Sequence, residues 1–153
     1  MTEIIIGKLL GIAIKEAKRT PMILKDEIII TTEKGVEGDH RGEPGDRQVT
    51  VISQDSWDKV CQDLNKSLPW IARRANLLIR GIVIVESTGK YLQIGDLVLE
   101  ITGETKPCQR MDEYYLGLQE VLKPEWRGGV TCKVIKSGRV KLDDSIMLGE
   151  SPK

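Results

Sequence analysis

Short runs of aliphatic and β-branched residues, separated by turns that contain glycine, are the main pattern along this chain of 153 residues. The runs predict seven strands: Glu3–Ile14, Glu27–Thr32, Gln48–Ser53, Leu77–Val85, Leu97–Thr102, Val130–Ile135 and Ser145–Leu148. Many short strands with few helices favour a mainly β fold, because closing a sheet into a barrel removes its exposed edges. We therefore expect a closed or partly open β-barrel with a few short helices.

Two segments have a helical pattern instead. Gln54–Asn65 follows Ser53, which is suited to capping a helix, and its apolar residues fall on one face. Asp112–Leu122 predicts a second helix that ends before Pro124. No repeat, low-complexity tract or long linker divides the chain. The sequence thus predicts a single domain over residues 1–153, with a core at about 4–148 and a tail at 149–153.

Composition narrows the functional classes. The chain is 40% hydrophobic and 30% charged, as in folded proteins, and its 23 basic residues equal its 23 acidic ones. This balance argues against nucleic-acid binding, and no apolar run is long enough to cross a membrane. Three widely spaced cysteines and no targeting signal favour a reducing, cytoplasmic setting. One histidine, His40, and no Cys-x-x-Cys pair lead us to expect no zinc site.

Cys108 differs from the other two cysteines in having charged neighbours. If its segment is extended, Lys106 and Arg110 flank the sulfur on the same side. Two cations favour the thiolate, which attacks electrophiles and binds soft metals. The alternative is a partly buried thiol on an edge strand. Cys61 and Cys132 lie on apolar faces and are predicted to belong to the core.

Three other segments offer groups that could bind an anion. Residues 35–45 contain four glycines and a proline, and such a loop could present backbone N–H groups or could be a solvated hairpin. Arg127 beside Gly128 could cradle a phosphate or could belong to an ordinary turn. Arg73 and Asn76, before an apolar strand, could face a ligand or lie in a solvated turn.

The order of these motifs closely resembles the MOSC domain, a family named for the C-terminal domain of molybdenum cofactor sulfurases. The matching pieces are Gly-Val-Glu-Gly-Asp at 35–39, Asp-Arg-Gln-Val at 46–49, Arg-x-Asn-Leu-Leu-Ile at 74–79, Pro-Cys-Gln-Arg-Met at 107–111 and Arg-Gly-Gly-Val at 127–130. The resemblance runs from about Ile4 to Leu148 and implies a β-barrel with few helices.

The resemblance also implies a site. The family's cysteine matches Cys108, which is expected to bind the molybdenum of the molybdopterin cofactor or to carry sulfur. Lys106 and Arg110 are expected to balance the anionic groups of the cofactor. Other positions that match family motifs are expected to line the same pocket: Gly35, Glu37, Gly38, Asp39, Arg47, Gln48, Arg73, Asn76, Arg127 and Gly128. Pyridoxal phosphate accompanies the family name, but no Schiff-base lysine site is evident, so we do not expect this chain to bind it.

The implied function is binding of the molybdenum cofactor, used in sulfur transfer or in reduction of N-hydroxylated compounds. We expect the electrons or the sulfur to come from a separate redox or sulfur-donor protein, and the sequence leaves open whether the chain is an enzyme. One alternative is a carrier module that holds a small anionic cofactor without turnover. Another is a thiol enzyme that needs no cofactor.

Overall fold

The computed structural model describes residues 5–151, which form a mainly β protein. The strands are β1 Ile5–Ile14, β2 Ile23–Lys25, β3 Glu27–Thr31, β4 Gly35–Val36, β5 Val49–Ser53, β6 Leu77–Arg80, β7 Tyr91–Ile94, β8 Leu97–Glu104, β9 Val130–Lys136, β10 Gly138–Lys141 and β11 Ser145–Gly149. The helices are α1 Gln54–Leu64, α2 Arg110–Tyr114 and α3 Leu118–Leu122, with 3₁₀ helices at Trp70–Arg73 and Pro124–Trp126.

Seven strands close into a barrel in the order β1-β11-β7-β8-β9-β5-β6 and back to β1. The barrel closes because β1 pairs with β11 near its start, where Ile6 lies opposite Met147, and with β6 further along, where Leu9 lies opposite Ile79. Strands β5 and β6 are parallel, so a crossover must join them, and α1 supplies it. A separate sheet contains β10, β3 and β4. The predicted closed β-barrel is thus confirmed.

Two apolar clusters stabilise the fold. Branched aliphatic side chains fill the barrel, and Cys132 lies among them as predicted. A second cluster packs α1, α2 and α3 against the outer face of the barrel through Ile52, Trp57 and Met111, with Cys61 at its margin. Because both faces of β5 are covered, all five of its residues are buried. The second cluster brings the Trp70–Arg73 helix next to the segment that carries Cys108.

The predicted helix Asp112–Leu122 is wrong in one respect, because the structure divides it into α2 and α3. Tyr115 is extended (φ −156°, ψ 125°), and Gly117 has φ 95°, in the left-handed region. The side chain of Asp112 spans the break, since its Oδ1 accepts a hydrogen bond from Gln119 N at 2.9 Å. Helix α1 begins after Ser53 as predicted, and Ser53 Oγ accepts from Ser56 N.

The strand predictions were correct in place and less so in extent. The run Leu77–Val85 ends as a strand at Arg80, because Gly81 turns the chain with φ 82°. Residues 3 and 4 of the first predicted strand lie outside the described residues, as do residues 152 and 153 of the predicted tail. Strands β2, β4, β7 and β10 have two to four residues each and were not predicted. At this length the periodicity of apolar residues carries little information.

Candidate functional site

Cys108 lines a small cavity at the end of β8, hereafter the Cys108 cavity, with a volume of about 160 Å³. Its walls are rich in cations: Arg41, Arg47, Arg73, Arg74 and Lys106, together with Thr50, Ala75, Thr105, Met111 and Gly128. The thiol is exposed to solvent. Residues 105–108 are irregular rather than extended, and Arg110 already lies in α2. The prediction that Lys106 and Arg110 flank the sulfur on the same side is therefore corrected. Lys106 lines the Cys108 cavity, whereas Arg110 lines a second cavity that is described below.

Arg73 is the most deeply buried of these cations. It donates hydrogen bonds from Nε to the carbonyl oxygen of Gly128 and from Nη2 to that of Thr105, both at 3.1 Å. Burial lowers the pKa of Arg73 to about 10, against a raising electrostatic effect of Cys108. Within residues 5–151 no carboxylate lies within 4.0 Å of its guanidinium. A buried cation without a carboxylate favours an anion beside it.

A second, larger cavity of about 570 Å³ adjoins the first and is hereafter the basic cavity. Its walls are Lys15, Lys18, Arg19, His40, Arg41, Glu43, Arg74 and Arg110. Arg41 and Arg74 line both cavities. The pKa of Lys15 is lowered by desolvation and by the charges of Arg74, Arg41 and Arg110, against the opposing charge of Asp39. Although the chain as a whole has no net charge, this region is strongly positive.

Arg74 lies where the cavities meet and has an uncommon backbone conformation. Its φ of 62° and ψ of 33° are left-handed, and its N–H donates to the carbonyl oxygen of Ile71 at 2.9 Å, which ends the 3₁₀ helix. A left-handed arginine is strained, and such residues cluster at functional sites. Sequence reasoning selected Arg73 and missed Arg74. The signal was present, since Arg74 is the arginine of the Arg-x-Asn motif.

The glycine-rich loop is attached to the residue after β1 by hydrogen bonds from Asp39 and His40. Asp39 Oδ1 accepts a hydrogen bond from Lys15 N at 2.8 Å, and Oδ2 accepts from Arg41 N at 3.3 Å. His40 N donates to the carbonyl oxygen of Lys15 at 2.8 Å. The loop is thereby fastened to the end of β1, so Asp39 positions Lys15 and Arg41. Sequence reasoning had no signal for Lys15.

The other predicted residues of this loop do not line the Cys108 cavity in the described structure. Gly35 and Gly38 have φ values of 63° and 83°, which glycine adopts without strain, and a Cβ at Gly35 would lie 3.0 Å from the carbonyl oxygen of Gln48. Glu37 is exposed. Gly35 and Gly38 shape the turn that carries Asp39 and Arg41.

Gln48 and Asn76 are buried, and their amides bond to the protein itself. Gln48 Nε2 donates to the carbonyl oxygen of Thr32 at 2.8 Å, and Oε1 accepts from Val134 N at 2.9 Å. Asn76 Oδ1 accepts from the backbone and hydroxyl of Thr50, and Nδ2 donates to the carbonyl oxygen of Ala13. The prediction that both line the pocket is therefore corrected. The amide of Gln48 bonds to β9 and to the residue after β3, and that of Asn76 bonds to β5 and β1.

The Arg127-Gly128 pair divides between two roles. Arg127 Nη1 donates to Asp63 Oδ2 at 2.6 Å and to the carbonyl oxygen of Val121 at 3.1 Å, so it joins α1 to α3. The predicted phosphate cradle at Arg127 is corrected accordingly. Gly128 does line the Cys108 cavity. A Cβ there would collide with the carbonyl oxygen of Thr105, so the close approach requires glycine.

Thr105 supplies a further polar group to the Cys108 cavity. Its side chain is buried, and its hydroxyl has no hydrogen-bond partner in the part of the chain that the structure describes. Buried polar groups in proteins are nearly always hydrogen-bonded, so an unpaired hydroxyl in a cavity indicates a group that a ligand would satisfy. No sequence motif marked Thr105.

Comparison with known proteins agrees with this architecture. The MOSC domain family matches residues 36–147, and the chain therefore belongs to the MOSC domain family. The crystal structure of the YuaD protein from Bacillus subtilis is similar, with a TM-score of 0.85 and 17% identity over 99% of this chain and 100% of that one. YiiM from Escherichia coli has a TM-score of 0.71 and 18% identity, over 92% of this chain and 69% of that one. No curated protein matches the sequence.

At identities this low, the structural similarity establishes a shared fold. Among residues 5–151, no group of three or more His, Cys, Asp and Glu side chains is placed to hold a metal ion. No helix in the described part of the chain is long and apolar enough to cross a membrane.

Proposed function

We propose that this chain binds the molybdenum cofactor, with the sulfur of Cys108 as a ligand to molybdenum or as a carrier of sulfur. The observation that carries the proposal is the exposed thiol in a cavity that also contains the buried, carboxylate-free guanidinium of Arg73. Thiolate sulfur is a soft ligand suited to such a metal, and guanidinium groups bind phosphate in a planar, bidentate manner.

The residues present fit an anionic cofactor. Thr105 offers an unpaired hydroxyl, and Gly128 lets the turn before β9 approach Thr105 and Arg73 closely at the cavity wall. Beyond them, the basic cavity has about 570 Å³, a volume in the usual range for small-molecule sites. The cations that would hold the phosphate and balance the dithiolene are Arg41, Arg47, Arg74, Lys106, Arg110 and Lys15.

The positions of these residues suggest a separate role for each in the proposed function. Cys108 supplies the soft ligand, Arg73 places a fixed positive charge beside it, and Arg74 connects the two cavities. When bound, the cofactor supplies the chemistry of sulfur transfer or of reducing N-hydroxylated compounds. A separate protein supplies the sulfur or the electrons in this proposal, and the exposure of Cys108 supports such access.

The proposal is tested by metal and pterin analysis of protein made in a host rich in cofactor. Wild type and Arg139→Gln, whose exposed arginine lies on β10, are expected to contain both components in similar amounts. Cys108→Ser is expected to lose molybdenum at least tenfold, and Arg74→Gln to lose both components. Wild type without molybdenum and pterin, or Cys108→Ser with full molybdenum, would overturn the proposal.

A cofactor-free thiol enzyme is a second candidate, favoured by the same exposed thiol among cations. It requires that protein free of molybdenum consume an electrophile or a peroxide with turnover. Since Cys132 is buried and Cys61 is only half-exposed, regenerating Cys108 would require an external thiol. Multiple turnovers by metal-free wild type, absent in Cys108→Ser, would favour this candidate over cofactor binding.

A further inference from the structure

A third cavity adjoins the other two and differs from them in character. It has a volume of about 400 Å³, and much of its wall is apolar, with Met22, Ile71, Met111 and Tyr114 among its residues. It shares Met111 and Arg74 with the Cys108 cavity, and Arg74 and Arg110 with the basic cavity. The three cavities are therefore neighbours that share Arg74 as a wall residue, and the third is hereafter the apolar cavity.

We infer that the apolar cavity is a substrate subsite for small molecules that have a flat apolar ring and one anionic group. The ring lies in the apolar cavity, and the anionic group lies towards Arg74 and Arg110. The inference rests on the proposed function in one respect, because it takes the cofactor held at Cys108 as the reacting centre. Binding in the apolar cavity itself requires no cofactor.

The walls suit a ring. Met22 is a partly buried, flexible thioether, which adapts to a ligand and makes favourable contacts with aromatic edges. Met111 is buried, and its sulfur lies 3.7 Å from Arg73 Nη1. Tyr114 is 52% exposed and adds an aromatic side chain to the wall. A volume of about 400 Å³ lies within the usual range for small-ligand sites.

Arg74 and Arg110 favour a ligand whose other end is anionic. Arg74 and Arg110 line the apolar cavity and the basic cavity alike, so they stand on the border between the two. Among the described residues, neither has a carboxylate within 4.0 Å, which leaves both available to an anion. Glu113 also lines the apolar cavity and repels a second negative group. A ligand with one anionic end fits this arrangement better than a neutral one or a dianion.

Met111 connects the apolar cavity with the segment that carries the Cys108 thiol. Met111 N donates a hydrogen bond to the carbonyl oxygen of Cys108 at 3.0 Å. Met111 also lines both the apolar cavity and the Cys108 cavity. A ring packed against Met111 is therefore next to the residue that carries the thiol.

The test uses the full chain, made without cofactor and labelled with carbon-13 at the methionine methyl groups. The probes are 2-naphthoate, neutral 2-naphthalenemethanol and ring-free acetate. We expect 2-naphthoate to shift the signals of Met22 and Met111, because aromatic ring currents act over short distances. The signal of Met147 on β11 is the internal reference and is expected to stay in place. Acetate is expected to leave all three unchanged.

Probes and variants distinguish the contribution of the ring to binding from that of the anionic group. The neutral probe is expected to bind about tenfold more weakly than 2-naphthoate, the effect of losing one charge-assisted contact. Arg110→Gln is expected to reduce this difference, because only Arg74 then remains beside the anionic group, whereas Arg139→Gln is expected to keep it. Met22→Glu is expected to abolish binding of 2-naphthoate, and Met22→Leu to retain it.

Three results would overturn the inference. One is unchanged Met22 and Met111 signals up to the solubility limit of 2-naphthoate. Another is equal affinity for the charged and neutral probes. The third is self-association that broadens both signals before any probe is added, which would place a second copy of the chain over the apolar cavity. Since these measurements use cofactor-free protein, their failure is independent of the molybdenum content that tests the proposed function.

Discussion

Arg73 donates a hydrogen bond from Nη2 to the carbonyl oxygen of Thr105 at 3.1 Å. The contact ties the 3₁₀ helix before β6 to the segment that follows β8. Because Cys108 is three residues beyond Thr105, the contact also fixes a buried positive charge near the thiol. The second bond of Arg73, to the carbonyl oxygen of Gly128, fastens the turn before β9 to the same guanidinium.

Gly128→Ala is expected to disturb this arrangement. The new methyl group would meet the carbonyl oxygen of Thr105 and lie 3.3 Å from Arg73 Nη2, so one of the segments must shift. We expect a loss of about 1–3 kcal/mol in the free energy of unfolding, together with reduced molybdenum content. Urea unfolding and metal analysis measure the two effects. Gly103→Ala is the control, because nothing lies within 4 Å of a Cβ there, and equal losses in both variants would contradict the explanation.

The three cysteines are expected to react with iodoacetamide in order of exposure. Cys108 is exposed, Cys61 is half-buried and Cys132 is buried. Burial raises the pKa of the Cys132 thiol, so the native state keeps it protonated. The protonated Cys132 thiol contributes to the free energy of unfolding below the unfolded thiol's pKa of about 8.5. This contribution is lost as the pH rises above that value. Mass spectrometry of native protein should find Cys108 labelled first and Cys132 unlabelled, and early labelling of Cys132 would be inconsistent with its burial.

Asn76→Ala is expected to reduce stability rather than ligand binding. The substitution leaves the N–H of Thr50 and the carbonyl oxygen of Ala13 without their partners inside the barrel. Buried groups left unpaired cost about 1–3 kcal/mol each, so for these two groups we expect a loss of about 2–6 kcal/mol by urea unfolding. Asn65→Gly, at the left-handed end of α1, should be nearly neutral. If Asn76→Ala keeps full stability but no longer binds cofactor, Asn76 contacts the ligand and the structural explanation is wrong.

Anion binding is expected to weaken as pH rises, because Lys15 loses its proton. Desolvation and the neighbouring arginines lower the pKa of Lys15 in the free protein. Holding this proton therefore costs stability below the lowered pKa, and the cost disappears as pH rises towards the unfolded value. A bound anion offsets the cost and raises the pKa, so binding takes up protons. Calorimetry with sulfate in buffers of different ionisation enthalpy measures this uptake, which Lys15→Gln should reduce; an unchanged uptake would exclude Lys15 as its source.

The barrel and the place of Cys108 could be predicted from sequence, because both depend on local signals. Alternating apolar residues mark the long strands, and the Pro-Cys-Gln-Arg-Met motif marks the thiol. Arg47 and Gly128 from the family motifs, and Lys106 from its position beside Cys108, line one cavity; their roles in binding stay predictions. These residues lie in or beside turns, where little else competes for their side chains.

Side-chain direction was harder to predict, because it depends on contacts between distant segments. Gln48 and Asn76 belong to the motifs but bond to other parts of the protein, while Arg74 lines the site from a left-handed backbone that ends the 3₁₀ helix. Lys15 joins the site because Asp39, 24 residues away, binds its backbone. None of these relationships has a periodicity that a single sequence would reveal.

The central claim is that the Cys108 sulfur binds molybdenum, and molybdenum K-edge X-ray absorption of the purified protein tests it most directly. We predict that wild type has one more sulfur neighbour at molybdenum than the dithiolene alone supplies. In Cys108→Ser this sulfur should be absent, either from the spectrum of the bound metal or together with the metal itself. An identical spectrum and an equal molybdenum content in the two proteins would contradict the claim.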